Sequence, residues 1–128
     1  MREPPWARLV RELADAGFES PYADRLRRRL NVAQAQQQLE TEIVQEMAAA
    51  LGRAGEKVDL AMLHLELAGR EADRAESPLE RRRRVVAFNQ ARAEALRARH
   101  ELLIHREAIG IRSNRVLESM YPIPPKRH

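Results

Sequence analysis

Cysteine is absent from this 128-residue chain, which excludes disulfide frameworks, thiolate metal sites and cysteine nucleophiles. Aromatic residues are scarce. Trp6, Phe18, Tyr22, Phe88 and Tyr121 are all there are, so a core has to be built from Leu, Val, Ile, Met and Ala. No apolar run approaches the ~20 residues needed to cross a bilayer as a helix. Met1-Arg2-Glu3-Pro4-Pro5 lacks the apolar stretch of a secretory signal, and a cytoplasmic setting is the expectation. Proline is missing between Pro21 and Pro78 and again between Pro78 and Pro122, leaving two long stretches that nothing forces out of helix.

What is present is the composition of helices: Ala, Leu, Glu, Gln and Arg dominate and strand formers are few. The length supports one domain, 1–128, with a modest core. Trp6, Leu9, Val10, Leu13 and Phe18 outline a short amphipathic helix over 6–17, with Gly17 as its C′ stop. Ser20-Pro21 opens the next helix as N-cap and first helical residue. Ser77-Pro78-Leu79-Glu80 repeats that signal and adds a capping-box glutamate. From there a helix is predicted over 78–119, with Gly110 its one weak point, followed by an extended basic tail over 120–128 that favours polyproline II.

Residues 21–74 read as a single first long helix. Leu39, Ile43, Met47, Ala50, Ala54, Val58, Ala61, Leu65, Ala68 and Ala72 hold a helical phase across Gly52 and Gly55. The alternative is a three-helix bundle with a turn at Gly52–Gly55, since each glycine costs ~1 kcal/mol against alanine inside a helix. The favoured fold is thus all-α: a long antiparallel helical hairpin, coiled-coil-like, with a short N-terminal helix. In that register Leu63 meets Phe88 and Val58 meets Leu96. Leu60, Leu63 and Leu67 on the first arm, and Val85, Phe88 and Leu102 on the second, exceed what one seam covers. They are the expected interface of a homodimeric bundle, with partial cover by Trp6, Leu9, Leu13 and Phe18 as the alternative.

Charge divides along the chain. Residues 31–80 carry four Lys/Arg against ten Asp/Glu, whereas 81–128 carry twelve against four. Arms of opposite sign favour the intended antiparallel pairing. Arg81-Arg82-Arg83-Arg84 occupies the first turns of a helix, where the macrodipole disfavours cations. It is a candidate anion or partner patch, with Glu80 and the acidic residues across the turn as competing structural partners for it. A second cluster, Arg25, Arg27, Arg28 and Arg29, is expected at the opposite end of the hairpin near Arg112, Arg115, Lys126 and Arg127.

Catalytic and cofactor motifs do not stand out. There is no Glu-x-x-His for a di-metal bundle, no nucleophile elbow and no glycine-rich phosphate loop. His100 and Asn89 lie on an apolar stripe and read as buried polar groups that set register. The expectation is therefore a non-enzymatic scaffold, adaptor or assembly subunit, with no cofactor, metal, membrane or small-molecule substrate. It would act through protein–protein contacts, self-association first among them. The alternative is an arginine-rich helical module that binds nucleic acid or another polyanion.

Overall fold

The computed structural model describes residues 3–35 and 42–128, with side chains over 3–31 and 45–128. Among the described residues five helices follow one another: α1 Ala7–Asp15, α2 Pro21–Ala35, α3 Glu42–Asp73, α4 Pro78–Ala108 and α5 Val116–Met120. No strand occurs among the described residues.

The helix boundaries follow from local chemistry. Gly17 adopts φ 76° beyond the end of α1. Its N–H reaches the Ala14 carbonyl and the Phe18 N–H reaches the Leu13 carbonyl, which is a Schellman closure. Ser20 caps α2, its Oγ accepting from the Tyr22 and Ala23 N–H groups at 3.2 and 3.3 Å. Ser77 caps α4 in the same way, accepting from the Glu80 N–H at 3.1 Å with Pro78 in the first turn. Gly110 (φ 92°) repeats the Schellman closure, Ile111 N–H to Arg106 and Gly110 N–H to Glu107. This glycine therefore ends α4 at Ala108. The helix expected over 78–119 is divided, with α5 a separate short turn.

α3 and α4 are the two long helices, and they pack in a hairpin-like manner. Lys57 pairs with Glu101 and Glu71 with Arg84, so positions rising along one helix meet positions falling along the other. Ala54, Ala61 and Ala72 on α3 and Ala95 and Ala98 on α4 are buried, their small side chains permitting close approach. Phe88 lies against Gly69, where a β-carbon would meet its ring at 3.4 Å. The expected contact with Leu63 is displaced by more than a helical turn.

The first long helix over 21–74 is not formed as one element. α3 runs unbroken through Gly52 and Gly55, so the alternative turn there is not formed either. Instead α2 is separate and packs back on α3. Arg29 reaches Asp59 at 3.0 Å, whereas thirty residues of one helix would hold them ~45 Å apart. Residues 36–41, between the two helices, lie outside the described residues, as do the side chains of Leu39 and Ile43 at the start of the expected stripe. With α1 resting on α2, the core joins Trp6, Val10, Tyr22 and Leu26 to Val58, Met62, Leu63 and Leu65, and to Phe88, Leu102, Leu117 and Tyr121.

Candidate interaction surfaces

The second face of α3, whose Leu60, Leu63 and Leu67 were expected to meet a dimer partner, instead receives Trp6 and α2 of the same chain. It carries polar groups at helical spacing, and each is answered. The Trp6 indole N–H donates to Glu56, and the Ser20 hydroxyl donates to Glu66. Asp59, 0% exposed, accepts from Arg25 at 3.3 Å and from Arg29 at 3.0 Å. Arg29 also donates to the Gly52 carbonyl. Gly55 is what lets the guanidinium lie so close: a β-carbon there would stand 2.5 Å from Arg29 Nη2. Burial pushes the Asp59 carboxyl up, against the opposing pull of Arg29 and Arg25. Glu66 is pushed up by the same desolvation, offset in part by Ser20. Tyr22 and Tyr121, whose rings stack at 6.2 Å, are raised first by burial, and Arg25 sits over both.

The arginine cluster on α2 is thus largely absorbed within the chain. Arg25 and Arg29 hold Asp59, and Arg27 pairs with Asp24 at 2.6 Å, leaving Arg28 exposed. Arg127 is not in its company either. It stacks over Phe88 at 4.4 Å and pairs with Asp73 at 2.8 Å, beside the α3–α4 turn. The acidic arm consequently spends its buried Asp59 on α2, and meets the basic segment mainly through Glu71–Arg84 and Asp73–Arg127.

Arg81 to Arg84 are all exposed at the start of α4. Arg84 is taken by Glu71 at 2.6 Å rather than by Glu80, whose carboxylate accepts from the Glu76 N–H. Arg81, Arg82 and Arg83 make no ion pair with any described residue. Leu79 and Val86 flank them, 58% and 57% exposed.

The expected dimer surface is mostly consumed inside the molecule. Leu63, Phe88 and Leu102 are buried, and Leu60 and Leu67 pack half-buried against the core, as α1 and α2 supply a cover that a two-helix hairpin lacks. Val85 is half-buried. His100 is exposed rather than buried, lining a depression with Leu96, Leu103 and Leu117.

Comparison with protein-family models, curated proteins and solved structures finds no match. No helix among the described residues is long and apolar enough to cross a membrane. Those residues also hold no cluster of three or more His, Asp or Glu suited to a metal ion.

Asn89 has a use that its place on an apolar stripe does not announce. Its Nδ2 donates to the Arg127 carbonyl at 2.9 Å, and its Oδ1 accepts from the Arg127 N–H at 3.0 Å. Arg92 donates to the Pro124 carbonyl at 2.7 Å, and Arg99 to the Tyr121 carbonyl at 3.0 Å. The C-terminal segment beyond α5 carries no regular secondary structure, and these side chains bind it along α4. Beside it lies an open groove of about 530 Å³ floored by Met62, Leu65 and Gly69, with Phe18 and Tyr22 on one wall and Phe88, Pro122 and Pro124 on the other.

Proposed function

We propose that this protein is a non-enzymatic helical adaptor whose exposed face at the start of α4 docks an acidic segment of a partner protein. The supporting observation is that Arg82 and Arg83, which have no ion-pair partner among the described residues, share one face of α4 with the exposed Leu79 and Val86, while Arg81, likewise unpaired, projects from another side. Cations close to the start of a helix are disfavoured by its dipole, an effect that fades beyond the first turn. Carboxylates brought to Arg82 and Arg83 would supply the charge partners they lack, and Leu79 and Val86 would supply apolar contact on the same face. Nothing about this surface calls for a cofactor or for chemistry on a substrate.

The same arginines favour a second reading, binding of a nucleic acid backbone. Three phosphate contacts would give a salt slope near −2.7, roughly a fortyfold loss of affinity between 50 and 200 mM salt. A docking site that also buries Leu79 and Val86 responds less.

The test compares capture from nuclease-treated lysate by the wild-type chain and by Arg82→Glu/Arg83→Glu. The adaptor reading expects a protein retained by the first and lost by the second, with melting temperatures that agree. Exposed substitutions of this kind shift stability by no more than ~0.5 kcal/mol. Identical capture by both chains, or capture abolished by nuclease, refutes it.

A further inference from the structure

The carbonyls held along α4 belong to Tyr121, Pro124 and Arg127, every third residue of the tail. Three residues per turn is the repeat of a polyproline II helix, the conformation that Tyr121-Pro122-Ile123-Pro124-Pro125 favours. The donors, Arg99, Arg92 and Asn89, descend the helix as the tail ascends. Six residues of polyproline II span ~19 Å and ten residues of α-helix ~15 Å, a difference that the long Arg92 and Arg99 side chains and the turn at Tyr121 (φ −127°, ψ 65°) take up. All three side chains read peptide backbone, and the Asn89 amide closes both hydrogen bonds of a single residue. Such contacts do not depend on which residues the extended segment carries. Specificity enters at the two ends: the first aromatic, Tyr121, is buried on Tyr22, and the seventh residue, Arg127, lies over Phe88 and against Asp73.

Two observations separate this arrangement from ordinary core packing. Pro122, Pro124, Pro125 and Lys126 remain exposed, so beyond Tyr121 the tail is laid on a surface. The seat is also wider than its occupant, because the groove between the proline edge and Phe18 and Tyr22 stands open.

We propose that the Asn89–Arg92–Arg99 face of α4 is a recognition groove for a polyproline II segment of another protein, aromatic at its first position and basic at its seventh. The chain's own tail is the resident occupant that such a partner displaces. Bulkier residues at the positions of Pro122 and Pro124 would fill the open wall. This surface is separate from the Arg81–Arg83 face, and either can fail without the other.

A labelled peptide of residues 119–128 is the probe, titrated by fluorescence anisotropy into three full-length chains. The wild type should bind it weakly, because its tethered tail competes at high effective concentration. Tyr121→Ala/Arg127→Ala, which loosens the tail and vacates both of its end seats, should bind at least tenfold more tightly. Adding Asn89→Ala should remove that gain, and a peptide with glycine at 122, 124 and 125 should bind at least tenfold more weakly. Should loss of Tyr121 unfold the chain, Arg127→Glu alone frees the distal half of the tail and serves in its place. A folded, loosened chain that ignores the peptide, or binds the glycine version equally well, overturns the proposal. So does a doubling of mass by light scattering in which the peptide fails to compete, because the occupant would then be the tail of a second copy.

Discussion

Removal of the Asp59 carboxylate tests the feature on which the whole arrangement turns, the return of α2 along α3. In Asp59→Ala, Arg25 and Arg29 are left facing each other without the anion that holds them. Breaking a buried ion pair costs ~3–5 kcal/mol. Here the arginine side chains are 24% and 31% exposed and recover some hydration, so a loss of about 2–3 kcal/mol is expected. For a chain of this size that lowers the melting temperature by roughly 8–12 °C. Urea unfolding followed by far-ultraviolet circular dichroism measures it. A double-mutant cycle with Arg29→Ala then isolates the contact, with an expected coupling of about 1–2 kcal/mol. Were residues 21–74 one continuous helix, the two groups would be far apart and their effects would add. Additivity within ~0.5 kcal/mol, or an Asp59→Ala chain as stable as wild type, would refute both the ion pair and the fold of α2 on α3.

Other substitutions probe the remaining links. Ser77→Ala should cost ~1 kcal/mol by taking the cap from α4, and an unchanged unfolding midpoint would contradict the helix start. Gly52→Ala, with nothing within 4 Å of the new carbon, should stabilise by about 0.5–1 kcal/mol. Gly55→Ala should lose that gain, because its β-carbon displaces Arg29 from Asp59, and equal melting temperatures for the two variants would show that Gly55 is no close-approach position. Glu66→Gln probes burial through pH. The folded-state pKa of Glu66 is raised, so the folded state takes up its proton before the unfolded chain does. Wild type therefore gains stability as pH falls from the raised folded value toward the ordinary carboxylate value, while the glutamine variant does not. Glu66→Gln should be at least as stable as wild type at neutral pH, with any advantage closing near pH 4, and a variant that is markedly weaker at neutral pH would contradict the desolvation argument.

Helix content and most helix ends were legible in the residues, because these are decided within a few positions of the chain. Ser20-Pro21, Ser77-Pro78 and Gly17 each satisfy orphan backbone groups locally, and each acts where its residue type indicates. Gly110 belongs with them. Its Schellman closure was there to be read, and the unbroken apolar phase around it concealed the stop. The arginine run was equally plain, although that Arg84 is paired depends on where Glu71 and Glu80 point. Three-dimensional packing alone decided the rest. A helical stripe reports that a face is buried, not which element buries it, and α3 has two such faces. The second carries Glu56, Asp59 and Glu66, charged residues whose burial requires that Trp6, Arg25, Arg29 and Ser20 arrive from distant positions to satisfy them. Asn89 poses the same problem. A polar residue on an apolar stripe demands a partner, but only the fold brings the Arg127 backbone, 38 residues away, within its reach.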